Sequence, residues 1–219
     1  KYCRANWQVD PAVKFINGDI YYLFYHTDSL NEFQLEFSDS LVADSVLMQG
    51  VVLNFSHNNN ILNIDLGQYL LGDQLDSLTV FYHGVPPETG FGSFAAEVHG
   101  PNNVPVLWTL SEPYGAKDWW PIKQDLNDKI DSIDIFVKAP LMYKVASNGM
   151  LINETIIGAN KITYWKSRYP IASYLVAIAV SDYTIFTNQA QLSTGNLDVV
   201  NYVYAENLSE AQFGVGEMM

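Results

Sequence analysis

Leu107–Val137 reads LWTLSEPYGAKDWWPIKQDLNDKIDSIDIFV. It opens as a strand and closes as one: Ile133, Ile135 and Val137 point one way along the last segment, Ser132 and Asp134 the other. Prolines and a glycine mark the loop between the two strands. The stretch carries three tryptophans, a tyrosine and one early carboxylate, Glu112.

Working outward, the strand signal repeats. FQLEF puts Phe33, Leu35 and Phe37 on one face, NNNILNIDL puts Leu62, Ile64 and Leu66 inward, and DSLTVFYHG does the same with Leu78, Val80 and Tyr82. FINGDIYYLFYHT reads as aromatic and β-branched strand sequence with a turn at Asn17-Gly18. SVLMQGVVLNF reads as one long strand bent at Gly50, and VPPETGFGSF as a loop. YKVASNGML runs into a Ser-Asn-Gly turn, and KITYWKSR, YLVAIAVSDY and VVNYVYA are further strands. Only SEAQ reads as a helix start, with Ser209 as its N-cap. Ten or more strands with almost no helix predict an all-β fold, an antiparallel β-sandwich or barrel-like body. No linker or low-complexity stretch precedes about Asn207, so residues 1–208 read as one β-domain.

The bulk composition narrows the function. The chain has 219 residues, 48% of them hydrophobic, which is a globular composition able to bury a sizeable core. A net charge of −13 with no basic patch argues against nucleic acid, because phosphate contacts need clustered Lys and Arg. The same acidity would attract cationic groups such as peptide amines, although solubility alone accounts for it. No apolar run reaches the about 18 residues that span a bilayer; the longest candidate, IASYLVAIAVSDY, reads as a buried strand. Cys3 is the single cysteine, so no intrachain disulfide and no cysteine zinc site can form. That fits a cytoplasmic protein and an exported bacterial one equally. The first residue is Lys1 rather than Met, which reads as upstream removal, and no signal-peptide pattern is visible. The sequons at Asn54, Asn153 and Asn207 read as chance in a chain rich in Asn and Ser.

Catalytic motifs are missing. His26, His57, His83 and His99 are not spaced as metal ligands and read as surface or edge residues. There is no H-E-x-x-H, nucleophile elbow or P-loop, and the glycines of GFGSF precede no helix that could hold a phosphate. The carboxylate pairs Asp131/Asp134 and Asp125/Asp128 could in principle serve glycosidase chemistry, but in strand and turn sequence they read as turn formers and solvent-facing charges. On its residues alone the chain reads as a binding or supporting module.

The opening stretch, extended to VLWTLSEPYGAKDWWPIKQDLNDKIDSIDIFVKAP, closely resembles the N-terminal domain of zinc aminopeptidases of the aminopeptidase N and leukotriene hydrolase family. VDPAVKFINGDI, FYHGVPPETGFGSF, VASNG and YPIASYLVAIAVSDY resemble further segments of that domain in the same order, covering most of residues 9–183. The resemblance implies a saddle-like, non-catalytic β-domain. It places the zinc ion and general base in a downstream catalytic domain, with residues 209–219 as the start of the connection to it. No cofactor is then expected in this chain, zinc is expected in that absent domain, and the partners are the domain itself and a peptide N-terminus.

In the family a T-x-x-E or T-x-x-Q run carries a side chain into the cleft. The matching run here is Thr109-Leu110-Ser111-Glu112, which implies that Glu112 binds the substrate's free α-amino group. The chemistry suits the role, since an ammonium paired with a carboxylate makes a charge-assisted bond that internal peptide bonds cannot offer. Tyr114, Trp119 and Trp120 either line a pocket or pack beneath the loop and fix where Glu112 points, and packing is the reading favoured here. Lys117 stands where relatives often carry Arg, and a lysine cannot make the planar two-pronged contact of a guanidinium. The family's G-x-M-E-N-like loop is matched only by FGVGEMM, with the residue types out of order, so Gly214, Gly216 and Glu217 receive no function. The alternative is a free-standing carbohydrate- or protein-binding β-sandwich that uses Trp119 and Trp120 as a stacking platform.

Overall fold

The computed structural model describes residues 1–89, 93–193 and 195–218. Residues 90–92 of the predicted loop VPPETGFGSF lie outside the described residues. Sixteen strands and one α-helix are present among those described.

The long sheet is ordered around a central hairpin. β1 (Tyr2–Asp10) and β2 (Val13–His26) pair across Pro11-Ala12, and β7 (Gln74–Gly84) lies against the other side of β2. Beyond β7 come β4 (Leu41–Met48), β5 (Val51–Asn58), β6 (Ile61–Leu70) and the edge strand β3 (Leu30–Glu36). On the other side of β1 come β10 (Ser132–Pro140), β13 (Asn160–Ser167) and the edge strand β12 (Met150–Ile157), making ten strands in all. The β1–β10 pair is parallel and every other pairing described is antiparallel. A four-stranded sheet holds β11 (Lys144–Ser147), β14 (Ile178–Ser181), β9 (Val104–Thr109) and β8 (Phe94–His99) in that order. β15 (Thr184–Leu192) and β16 (Gly195–Val203) form a separate ribbon, followed by α1 (Leu208–Met218). The all-β architecture expected from the strand pattern is therefore present.

Register explains the core. Alternate residues of adjacent strands line up in rows on one face, as the period of a strand requires. One row runs Trp165, Ile135, Ala5, Ile20, Val80, Val46; the next runs Thr163, Val137, Trp7, Gly18, Tyr82. All of these residues are buried. The inward sets read from sequence on β6, β7 and β10 are buried as expected.

Four local readings change. Asn17-Gly18 is not a turn but lies inside β2. Gly18 stands between two large aromatics, and a Cβ there would come within 2.8 Å of Trp7 Cδ1 and 3.1 Å of Tyr82 Cε1. The glycine is required by close packing rather than by chain reversal. The stretch around Gly50 is two strands, not one bent strand: Gln49 and Gly50 both have positive φ (50° and 82°), the geometry of a two-residue hairpin turn. Tyr174 and Leu175 belong to a 3₁₀ turn, so only Ile178–Ser181 of the long apolar run is strand. At the C-terminal end α1 starts at Leu208, directly after a 3₁₀ turn, so Ser209 sits within the first helical turn instead of capping it.

Candidate functional site

Glu112 projects from the short segment that follows β9, and its surroundings are built from the core outward. Trp7 on β1 donates its indole N–H to Tyr82 Oη at 2.9 Å. Tyr82 on β7 in turn donates to the carbonyl oxygen of Trp119 at 2.9 Å. Trp119 donates its own indole N–H to Ser111 Oγ at 2.8 Å. A chain of buried polar contacts thus runs from the central strands to the residue immediately before Glu112. Low local dielectric strengthens each of these bonds and makes each unpaired member costly.

The aromatic rings fill the space around that chain. Trp7, Trp119 and Trp120 are 1%, 0% and 0% exposed. Trp7 and Trp119 lie 4.7 Å apart centre to centre, and Trp120 meets Trp7 edge-on at 5.7 Å. Each buried indole removes roughly 150–250 Å² from water, about 4 kcal/mol or more of hydrophobic stabilisation. Trp119 and Trp120 offer no exposed ring face, which removes the stacking platform that a carbohydrate-binding reading required of them. The indole N–H of Trp120 is buried without a hydrogen-bond partner among the described residues.

A second set of contacts closes the Glu112 turn. Gly115 N–H donates to Ser111 C=O at 2.8 Å, and Asp118 N–H to Gly115 C=O at 3.1 Å. The Asp118 carboxylate is 5% exposed and accepts Ser93 Oγ at 2.8 Å together with the Thr89 hydroxyl. Ser93 also accepts Leu110 N–H on its main-chain oxygen at 3.3 Å. Thr109, at the end of β9, accepts Ile178 N–H at 3.0 Å and so ties β9 to β14. The Glu112–Pro113 peptide bond is cis.

Against this rigid base, Glu112 is exposed, Tyr114 is 57% exposed and Leu110 is 44% exposed. Tyr114 does not pack beneath the loop with the tryptophans. Lys117 is half-buried and acts here through its main chain, its N–H meeting Gln124 Oε1 at 3.0 Å and its carbonyl accepting Ser38 N–H at 2.9 Å. The arrangement can present one solvated carboxylate in a fixed direction.

The other candidate groups are satisfied elsewhere. Asp134 accepts Tyr2 Oη at 2.7 Å and Arg168 at 3.0 Å, Asp131 pairs with Lys1, Asp128 with Lys123, and Asp125 accepts Asn127 N–H in its own turn. His26, expected as a surface or edge residue, is buried, and His99 is half-buried with its side chain 8% exposed. His26 Nδ1 meets the Asp28 carbonyl at 2.8 Å and Nε2 meets Asp76 at 2.9 Å. His99 lies between Glu206 at 2.8 Å and Asp182 at 3.1 Å, with its ring stacked on Tyr204. Carboxylate partners make burial of these rings affordable. Among the described residues no group of His, Cys, Asp and Glu is arranged to hold a metal ion, and no helix is long and apolar enough to cross a membrane. Ser93 and Asp118 were not singled out in the sequence, and Tyr82, Gly18 and Ser111 were read there only as a core position, a turn and a member of the T-x-x-E run, because their roles depend on partners up to 75 residues away, as for Trp7 and Tyr82.

No family model matches the sequence, and no curated protein matches it. The fold does match solved structures. A variant of a two-domain M1 zinc metallopeptidase, solved with L-arginine, superposes with a TM-score of 0.83 over 94% of this chain and 47% of its own, at 17% identity. The M1 zinc metallopeptidase of Deinococcus radiodurans matches with a TM-score of 0.80, and its variant bound to a Tyr-Ser-Ala substrate with 0.81, each at 18% identity over the same shares. This chain therefore has the fold of the N-terminal domain of M1 zinc metallopeptidases. It spans about half the length of the structures it matches.

Proposed function

We propose that this chain is the non-catalytic N-terminal β-domain of a zinc metallo-aminopeptidase, presenting Glu112 to the substrate α-ammonium and buttressing a downstream catalytic domain. The observation that carries the reading is the superposition over 94% of the chain on two-domain M1 zinc metallopeptidases. The rigid base beneath Glu112 supports the finer role. An ammonium is recognised best by a carboxylate that loses little freedom on binding it. Burial of Trp119 and of Ser111, next to Glu112, provides that fixity.

In the parent enzyme the catalytic domain would supply the zinc, which activates water and polarises the scissile carbonyl. The residues of this chain bind and orient. Glu112 would select substrates with a free amino terminus and set how far that terminus enters the cleft.

The test is Glu112→Ala in the full-length enzyme, assayed on an aminoacyl p-nitroanilide. Loss of a charge-assisted bond worth about 1.5–3 kcal/mol predicts a fall in kcat/KM of roughly ten-fold to a hundred-fold, with KM raised. Unchanged kinetics would remove Glu112 from the site.

A further inference from the structure

We propose that Ser93 and Asp118 form the clamp that sets the direction of Glu112, making them positioning residues for recognition of the substrate amino terminus. This rests on the reading of Glu112 as the ammonium acceptor.

Ser93 touches the Glu112 turn on both flanks. Its main-chain oxygen accepts Leu110 N–H, two residues before Glu112, at 3.3 Å. Its hydroxyl donates to Asp118, six residues after Glu112, at 2.8 Å. Gly115, between Glu112 and Asp118, presses against the same hydroxyl: a Cβ there would stand 2.3 Å from Ser93 Oγ. The turn is therefore gripped before and after the carboxylate by one residue immediately before β8.

Asp118 completes the grip. A carboxylate only 5% exposed needs donors, and it takes them from Ser93 and from Thr89. These hydroxyls belong to Thr89 and Ser93, so the carboxylate ties those two residues to the turn carrying Glu112. A backbone bond from Gly115 to Ser111 and the Trp119 indole on Ser111 hold the remaining side. Removing the Asp118 carboxylate leaves those two contacts but releases the Ser93 and Thr89 hydroxyls from the turn. Glu112 would keep its charge and lose its fixed aim.

The clamp makes a prediction that simple stabilisation does not. Effects that pass through Glu112 must vanish once Glu112 is gone. Asp118→Ala and Ser93→Ala are made in the full-length enzyme, each alone and each with Glu112→Ala. kcat and KM are measured on alanyl p-nitroanilide, using enzyme whose folded fraction is fixed by circular dichroism. Small misplacement of a binding group costs up to about a hundred-fold, so each single variant is expected to lower kcat/KM by about ten-fold, mostly through KM. Each double variant is expected to match Glu112→Ala alone, and Asp118→Asn, which keeps one acceptor oxygen, recovers part of the loss. If Asp118→Ala does not fold, Ser93→Ala, which removes a single hydroxyl, carries the same test. Equal losses in both backgrounds, or no loss in either, overturn the clamp while leaving Glu112 in the site. No effect of Glu112→Ala itself overturns both.

Discussion

Removing one oxygen, in Tyr82→Phe, tests the buried relay beneath Glu112. Tyr82 is 1% exposed and its hydroxyl both accepts from Trp7 and donates to Trp119 C=O. In the variant the Trp7 indole N–H is left buried without an acceptor, which costs about 1–3 kcal/mol. Loss of the bond to Trp119 adds about 0.5–1.5 kcal/mol, for a total of about 2–4 kcal/mol. In a domain of this size each kcal/mol lowers Tm by about 2–4 °C, so a fall of about 4–16 °C is expected. Urea unfolding followed by tryptophan fluorescence reads the same loss as a lower midpoint at constant slope. In Trp7→Phe/Tyr82→Phe both partners are gone, and a coupling of about 0.5–3 kcal/mol is expected relative to the sum of the single variants. A Tyr82→Phe protein within about 0.5 kcal/mol of the parent would show that the relay contributes nothing beyond ordinary surface variation.

Three further outcomes follow from the same geometry. Gly18→Ala places a methyl 2.8 Å from Trp7 Cδ1 and 3.0 Å from the Asn6 carbonyl; a loss of about 1–3 kcal/mol is expected in urea unfolding, against the gain that an unhindered Gly→Ala change in a strand would bring. Cys3 is fully buried and burial pushes its thiol up, so a thiol reagent at mildly alkaline pH should label it only as fast as the protein unfolds; prompt stoichiometric labelling of folded protein would contradict the packing. His26 is held above its ordinary value by the Asp28 carbonyl and by Asp76. A raised folded value means the contribution is fully present below the unfolded value of about 6.5 and is lost as pH rises through the folded value. Urea midpoints should therefore decline upward from about pH 6.5 in the parent and lose that part of the decline in His26→Gln.

Strand faces were legible in the sequence because they depend on alternation alone. Ile133, Ile135 and Val137 could hardly face anywhere but inward, and all three are fully buried. Turns were less legible, because Asn-Gly at 17–18 and Gln-Gly at 49–50 carry similar local signals and opposite outcomes. Packing decides between them: Gly18 has Trp7 and Tyr82 over its Cα, while nothing stands within 4 Å of a Cβ built on Gly50. The fold was reached through a resemblance of ordered segments that the superposition supports at 17–18% identity. The base of the candidate site was hidden for a different reason. Ser93 acts through its hydrogen bond to Asp118, Trp7 through Tyr82, and Tyr82 through Trp119, and contacts between residues 25 or more apart leave no periodic trace in a single chain. Trp119 and Trp120 were visible as aromatic mass, but only the structure separates their buried rings from the exposed Tyr114 beside them.

If this chain works as one domain of a zinc aminopeptidase, a catalytic domain follows it in the parent gene. The most direct measurement is to read the coding sequence of the parent gene past the codon for Met219. The proposed function predicts an open frame that continues into H-E-x-x-H with a glutamate ligand further on. A stop codon after Met219 would contradict it, leaving Glu112 without a catalytic domain to serve.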